Sequence, residues 1–340
     1  MSRRTTTLTL SMVFAVVLSL VGGIATVPFV ALGPGPTFDT LGRVDGKPVV
    51  AIEGERTYPT TGRLNMTTVS VVDGITLFGA LGFWLSGRNA LVPRDEVFPP
   101  NLSEAEIERR NTELFQDSES TAESAALRYL GYPSEPIVEG VEDGAAADGR
   151  LEPGDDLVAV GGIPMSSARQ VVAELADNAP GDTVEIGYRR GDGPPQTVPV
   201  TLAPGSEPGR GYLGIRVTDR AAVDFEITIS LTDVGGPSAG LMFALSIVDK
   251  LTPGPLADDT FVAGTGEIAT SGEVGPIGGI GFKMLKADEA GATVFLVPTG
   301  NCAEALSRAP EGLRLIRVAT LGEAVDALEA MRDGVPTPRC

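Results

Sequence analysis

The sequence predicts an α+β fold preceded by a single apolar helix, and three observations lead to this prediction. An uncharged apolar stretch occupies residues 8–32. After it, short runs rich in Val, Ile and Thr alternate with segments of helical periodicity, and Gly, Pro and Asp clusters separate them. The 340 residues are 42% hydrophobic, so the chain is long and apolar enough to bury the cores of two domains.

The apolar stretch 8–32 is long enough to cross a bilayer, because a helix rising about 1.5 Å per residue spans a hydrocarbon core of about 30 Å with roughly 20 residues. Arg3 and Arg4 precede it, which favours a cytoplasmic N-terminus and places everything after Gly33 outside the cytoplasm. We therefore predict a single-pass membrane protein anchored by residues 1–33. A cleaved signal peptide is the alternative, although the stretch exceeds the usual apolar signal core of about 7–15 residues.

A second apolar segment, GITLFGALGFWL at residues 74–85, is too short to span. It is either a buried helix or strand pair, or a segment lying at the membrane interface with Phe78, Phe83 and Trp84 as anchors. Around it, residues 34–125 are predicted to form a juxtamembrane region of strands and helices. Ser103 and Glu106 have the spacing of a capping box, and Gly131 fits the C-cap of the helix that they begin.

The next segment contains DGRLEPGDDLVAVGGIPM, followed by a predicted helix and by a hairpin turning at GDGPP, residues 191–195. This order resembles PDZ domains of the bacterial protease type, and we predict such a domain over residues 126–205. The resemblance implies binding of an extended peptide along a sheet edge, often through its terminal carboxylate. The segment YLGY, residues 129–132, loosely resembles the carboxylate-binding loop. The alternative is a PDZ fold that only packs against its neighbour.

Composition restricts the chemistry. The chain has no histidine, which excludes a Ser-His-Asp triad and histidine metal sites. Its two cysteines, Cys302 and Cys340, allow at most one disulfide, and Cys340 ends a tail, residues 336–340, that is predicted to be mobile. With no Cys/His cluster, we predict no metal and no cofactor. The net charge of −19 argues against a nucleic-acid partner.

A candidate nucleophile is Ser238 in GGPSAGLMF, where a Gly-Gly-Pro bend places it at the start of a predicted helix. Arginine stays protonated, so a base for this serine has to be a carboxylate or one of four lysines, Lys47, Lys250, Lys283 and Lys286. Lys47 belongs to a loop, and Lys250 lies about 18 Å along the same helix. Lys283 follows glycines among apolar neighbours, whereas Lys286 precedes Asp288 and Glu289. Burial lowers a lysine's pKa, so Lys283 fits the base better.

The motif GGPSAGLMFAL, followed by GTGEIATSGEVGPIGGIGFKMLKADEAGATVFLVP, resembles the peptidase domain of Lon proteases. We predict this domain over residues 206–335. The resemblance implies that Ser238 is the nucleophile, that Lys283 is the base, that Thr265 contacts the lysine, and that the Gly278 amide binds the oxyanion. The start of the helix after Ser238 has free N–H groups, so we expect the Ser238 amide to bind the oxyanion as well. One departure is Gly235, at a position where the ATP-dependent members carry an acidic residue.

With the anchor and the PDZ-like unit, the whole chain resembles the membrane-anchored, ATPase-lacking Lon-like proteases of bacteria. The sequence contains no G-x-x-x-x-G-K-[ST] motif. We therefore expect an ATP-independent serine endopeptidase that acts on extracytoplasmic proteins and selects or regulates them with its PDZ domain. The resemblance also implies a homo-oligomeric ring, a hexamer in the family. The alternative function is a membrane-tethered PDZ adaptor whose Lon-like domain is inactive.

Overall fold

The computed structural model describes residues 3–191, 193–205, 209–231 and 234–340. They form two compact units: a discontinuous unit of Met1–Ala122 with Ile227–Cys340, and an inserted unit of Glu123–Glu226. The fold is mixed α+β, as predicted.

The elements up to the end of the long helix are α1 (Arg3–Ile24), β1 (Phe29–Asp39), β2 (Arg43–Val44), β3 (Lys47–Pro48), β4 (Val50–Glu53), β5 (Arg63–Val72), α2 (Leu77–Ser86), β6 (Ala90–Pro93), α3 (Arg94–Val97) and α4 (Glu104–Tyr129). There follow β7 (Ser134–Val141), β8 (Asp155–Val160), β9 (Ile163–Pro164), α5 (Ala168–Ala176), β10 (Thr183–Arg190), β11 (Gln196–Thr201), β12 (Ala203–Pro204), β13 (Gly211–Tyr212) and β14 (Ile215–Ala221). The last elements are β15 (Glu226–Ile229), α6 (Gly240–Leu251), β16 (Phe261–Gly264), β17 (Glu267–Ile268), β18 (Val274–Gly275), α7 (Ile280–Glu289), β19 (Val294–Pro298), a 3₁₀ turn (Thr299–Asn301), α8 (Cys302–Arg308), β20 (Arg314–Val318) and α9 (Leu321–Arg332).

Helix α1 is shorter than the predicted span. It ends at Ile24, and the last residues of the stretch 8–32 belong to strand β1, where Val30 and Ala31 are fully buried. The prediction that residues 8–32 form one membrane segment is therefore wrong at its C-terminal end. Pro28 lacks the N–H that a continuing helix needs, and sheet pairing satisfies the backbone beyond it. Residues Thr6–Ile24, with a mean hydropathy of 2.2, meet the length and composition of a membrane span, as a signal sequence also does.

The discontinuous unit is built on a sheet with the strand order β20-β19-β16-β5-β1-β6. Strand β16 pairs in parallel with β5 and β19, whereas β1 pairs antiparallel with β5 and β6. Strands β1 and β5 thus share one sheet with strands of the C-terminal segment, from which the sequence-based boundaries separated them. Strand β19 is a continuous apolar run and is buried at all five positions, as is typical of a strand covered on both faces of a sheet.

Helix α6 packs against this sheet with ten consecutive buried residues, Gly240–Asp249, as its apolar sequence indicates. A hairpin that turns at Ser271-Gly272 pairs β17 with β18. The capping box also forms, because the Ser103 and Glu106 side chains bond to each other's backbone N–H groups. Gly131 follows α4 with φ 79°, as a C-cap glycine should.

The inserted unit is a sheet with the strand order β11-β10-β8-β7-β14, on which helix α5 packs. The predicted hairpin is the pair β10–β11, whose turn includes Asp192, a residue outside the described ones. Ser167 caps α5 by accepting a hydrogen bond from the Gln170 N–H.

The C-terminal tail is held in place, contrary to the prediction that it is mobile. Cys340 forms a disulfide with Cys302 at the start of α8. Thr337 is buried and accepts a hydrogen bond from Arg314. The N–H of Arg317, on strand β20, donates to the Pro338 carbonyl of the tail. These contacts arise between residues far apart in sequence, which no local pattern reports.

Candidate active site

Ser238 lies in a short loop just before α6, and two residues of helix α4 make hydrogen bonds to this loop. The Gly236 N–H donates to the Asn111 carbonyl (3.2 Å), and the buried Ser118 hydroxyl donates to the Pro237 carbonyl (3.0 Å). Gly236 has φ 83°, a conformation that favours glycine. The Gly-Gly-Pro bend is thus fixed against a helix more than a hundred residues away in the chain.

Lys283 reaches Ser238 from helix α7. Gly279, with φ 71°, turns the chain into this helix, and Lys283 lies one turn later with only 2% of its surface exposed. Its Nζ is 2.6 Å from Ser238 Oγ and 2.8 Å from Thr265 Oγ1. The structure therefore brings together the three side chains that the sequence singled out.

Thr265 is fully buried just after strand β16 and connects the other two residues. Its hydroxyl donates to the Ser238 carbonyl (2.9 Å), and the Gly266 N–H donates to the same oxygen (2.9 Å). Because the Thr265 proton is committed to that carbonyl, Oγ1 accepts from Lys283 Nζ. On a neutral lysine, the lone pair is then left for the Ser238 hydroxyl.

Burial lowers the pKa of Lys283 to about 7, because the charged ammonium is deprived of water. The negative charge of Glu267 opposes this by raising the pKa. Lys286, one turn later, is 37% exposed at its side chain and pairs with Glu289 at 3.6 Å. The two lysines of α7 thus differ as their sequence neighbours predicted: one is buried against the serine and the other is solvated.

Ser238, Lys283 and Gly278 line a cleft of about 440 Å³, together with residues of β5 and with Glu267. Among the described residues, nothing accepts a hydrogen bond from the N–H of Ser238 or of Gly278. No three His, Cys, Asp or Glu side chains of the described part of the chain come together as a metal site would require.

Asn301 is a feature of the site that the sequence did not reveal. Asn301 and Glu304 have the spacing of a helix cap, but the Asn301 side chain makes no cap. Instead, the buried amide accepts from the Ile277 N–H and donates to the Ile277 carbonyl, both at 2.8 Å. Ile277 precedes Gly278 and both residues line the cleft, so Asn301 fixes the backbone of one cleft wall.

A second cleft, of about 280 Å³, lies within the inserted unit between α5 and β14. Val172 and Leu175 line it from the helix, and the segment Tyr212-Leu213-Gly214-Ile215 lines it from the strand side. Residues 129–132, which loosely resembled the carboxylate-binding loop, do not line it; they end helix α4. A second Leu-Gly pair, Leu213-Gly214 in YLGI, lines the cleft, whereas that of YLGY does not.

Two families of domain match this chain. Residues 219–329 match the Lon protease (S16) C-terminal proteolytic domain, and residues 110–202 match the PDZ domain. The first match contains Ser238, Thr265 and Lys283. The chain therefore carries a serine-peptidase domain of the Lon type and a PDZ domain.

Among curated proteins, Lon protease 2 of Herpetosiphon aurantiacus is 46% identical over 79 residues, which are 23% of this chain and 9% of that protein. Lon protease of Rhizobium meliloti is 36% identical over 111 residues (32% and 13%). Lon protease 2 of Bacillus subtilis is 34% identical over 108 residues (31% and 19%). The matched segments thus span less than a fifth of these relatives.

Two of the solved structures that match cover about a quarter of this chain or less. The crystal structure of the PDZ domain of an SdrC-like protein from Listeria monocytogenes is 23% identical and has a TM-score of 0.23; the match covers 24% of this chain and 86% of that one. A solution structure from Geobacillus thermodenitrificans is 29% identical with a TM-score of 0.20, covering 21% and 82%. Likeness at such TM-scores carries no functional conclusion.

Proposed function

We propose that this chain, which carries a Lon-type proteolytic domain and a PDZ domain, is an ATP-independent serine endopeptidase that uses Ser238 as nucleophile and Lys283 as base. The observation that carries the proposal is the 2.6 Å contact between Lys283 Nζ and Ser238 Oγ, made by a lysine that is 2% exposed. A general base has to be neutral in order to accept a proton. Burial makes this possible, because a lysine with a pKa of about 7 is substantially neutral at neutral pH.

The reaction proceeds by acyl transfer. Neutral Lys283 takes the proton of the Ser238 hydroxyl while Oγ attacks the substrate carbonyl. The amides of Ser238 and Gly278 stabilise the resulting oxyanion. The Lys283 ammonium then returns its proton to the departing amine, which leaves an ester on Ser238. Water hydrolyses this ester with Lys283 again acting as the base, and the free serine is restored.

Thr265 positions the base in this scheme. By accepting one N–H of Lys283 while donating to the Ser238 carbonyl, it fixes Nζ against the nucleophile's own peptide unit. Lys283 thereby presents its lone pair to Oγ.

The proposed substrates are loose or unfolded segments of extracytoplasmic proteins. The sequence has no P-loop motif, which leaves the chain without its own ATP-driven unfolding. We propose that helix α1 anchors the chain in the cell membrane as a single span, with the catalytic domain outside the cytoplasm. Two features support this location. Helix α1 is apolar and begins with two arginines, and the Cys302–Cys340 disulfide is of a kind that persists in oxidising compartments. The PDZ domain then selects or regulates substrates, and a homo-oligomeric ring follows from the family resemblance.

The alternative is a membrane-tethered PDZ adaptor with an inactive peptidase domain. Such an adaptor has no use for a buried lysine, whose desolvation costs stability without a compensating ion pair. The contacts of Lys283 with Ser238 and Thr265 therefore favour the enzyme.

Two assays test the proposal. The first is labelling by a fluorophosphonate probe, which reacts with activated serines. The second is cleavage of an unfolded, fluorescently labelled protein in the absence of ATP. We expect both signals from the wild type and neither from Ser238→Ala or Lys283→Ala. Lys286→Ala is the matched control, since it removes the exposed lysine of the same helix, and it should retain both. Cleavage by the Ser238→Ala variant, or equal loss in Lys286→Ala, would refute the assignment.

A further inference from the structure

Helix α2 is a well-defined helix of ten residues, Leu77–Ser86. The Thr76 hydroxyl accepts a hydrogen bond from the Gly79 N–H at its start, and Gly87, with φ 66°, ends it. Its sequence, LFGALGFWLS, contains no charged residue.

The helix is apolar on two faces, and only one of them packs on the core of the unit. Ala80 is buried, and Phe83 joins the small core cluster of Ala31 and Ile75. The other face exposes five large side chains: Leu77 (51%), Phe78 (46%), Leu81 (48%), Trp84 (66%) and Leu85 (69%). At 3.6 residues per turn these five occupy an arc of about 120°, as wide as the stripe that a helix normally turns towards a core.

The start of α2 is hydrogen-bonded to the residues that follow helix α1. The Leu77 N–H donates to the Ala25 carbonyl (3.1 Å), and the Val27 N–H donates to the Ile75 carbonyl (3.0 Å). The Phe78 ring lies so close to Gly22 that a β-carbon there would come within 2.6 Å of it. The start of α2 is therefore fixed beside the C-terminal end of α1.

Strands β1 and β5 also expose apolar side chains. Phe29 at the start of β1 is 39% exposed, and Val71 and Val72 at the end of β5 are 43% and 37% exposed. Strand pairing places Val72 opposite Ala31, two residues beyond Phe29.

We propose that α2 is an interfacial helix whose exposed face lies in the headgroup–acyl boundary of the bilayer that α1 crosses. This rests on the membrane anchor of the proposed function, and not on its proteolytic chemistry. Ten residues are too few to span, whereas a short helix with aromatic and leucine side chains on one face is suited to the interface. The chain carries a net charge of −19, and α2 is an uncharged surface of it that can approach lipid without burying a charge.

Trp84 provides a direct test, because it is the only tryptophan in the chain. The full chain is reconstituted into phosphatidylcholine vesicles, with or without bromine on the acyl chains, and its tryptophan emission is measured. We expect bromines near the headgroups to quench the emission more strongly than bromines deep in the bilayer, and aqueous acrylamide to quench it weakly.

Variants show whether the exposed face is responsible. Leu81→Glu combined with Leu85→Glu should abolish lipid quenching of Trp84 and restore quenching by acrylamide. Leu306→Glu, which changes an exposed leucine of α8, is the matched control and should leave both unchanged.

Three outcomes would overturn the proposal: a protein that does not float with the vesicles, a floating protein whose Trp84 is open to acrylamide, or a Trp84 that is shielded from acrylamide but insensitive to bromine. The third means that a second copy of the chain covers the helix. Fluorophosphonate labelling of Ser238 on the same vesicles reports the peptidase separately, so failure of either proposal is recognised by itself.

Discussion

Asn301 makes the same pair of hydrogen bonds to Ile277 that a neighbouring β-strand would make. It thereby fixes the peptide unit that precedes Gly278, whose N–H is one of the two proposed oxyanion donors. Catalysis by such donors depends on their being held in place before charge develops on the substrate. The residue thus acts on the reaction through the backbone and touches no reacting atom.

Asn301→Ala should therefore lower kcat about 10²-fold, the scale seen when one oxyanion donor is lost, while KM changes little. The pH at half-maximal rate should stay near 7, because Lys283 keeps its surroundings. Asn65→Ala is the control: Asn65 is equally buried, and its amide donates to Thr37. An unchanged kcat in a folded Asn301→Ala protein would contradict the positioning role.

The sequence predicted Ser238, Lys283 and Thr265 because each lies in a recognisable local motif and because the absence of histidine left few bases. It did not predict the role of Asn301. Locally, Asn301 followed by Glu304 has the spacing of a helix cap, and only the fold shows that its amide is used 24 residues back in the chain. When a buried side chain hydrogen-bonds to backbone that is far away in the sequence, the sequence shows no periodic pattern that would indicate the contact.

At the scale of elements, local signals predicted the helices and hairpins, but not which elements meet. Helix α4 was predicted from its capping box, yet its bonds to the loop before Ser238 were not. No local signal indicated that strand β16 lies between β5 and β19 in a parallel arrangement. Parallel pairing joins segments far apart in sequence, so a single sequence carries little information about it.

The groove between α5 and β14 is the element that we expect to bind peptide. A short peptide with an apolar C-terminal residue and a free carboxylate should bind there, and its amidated form should bind at least about tenfold more weakly. Val172→Glu, which places a charge on the groove wall, should weaken binding of the free peptide by a similar factor.

Fluorescence anisotropy of the labelled peptide measures these affinities. Ile163→Glu is the control, since Ile163 is an exposed apolar residue of strand β9 outside the groove. Equal affinities for Val172→Glu and the wild type would indicate that the PDZ domain serves only to support the fold.

At the scale of the whole molecule, the disulfide joins two segments 38 residues apart and attaches the tail to the core beside Cys302. In the chain-entropy account, closing a loop of this length stabilises the folded state by roughly 4 kcal/mol. The sequence allowed this pairing but did not predict it, because two cysteines in a chain of this length carry no geometric information.

Cys302→Ser should therefore lower the melting temperature, Cys340→Ser should lower it by the same amount, and the double variant should lower it no further. Reductant should bring the wild type to the level of the variants. Calorimetry with and without reductant measures all four. A wild-type melting temperature that reductant leaves unchanged would contradict a stabilising disulfide and would remove one support for an extracytoplasmic location.

The central claim, that neutral Lys283 activates Ser238, is tested most directly by the pH dependence of the acylation rate in single-turnover experiments between about pH 5 and pH 9. Burial disfavours the ammonium and lowers the pKa of Lys283 to about 7, and only the deprotonated lysine accepts the serine proton. The rate should therefore rise about tenfold per pH unit below that pKa and level off above it. A rate that is flat, that falls with increasing pH, or that rises only near the ordinary lysine pKa of about 10.4 would contradict the account.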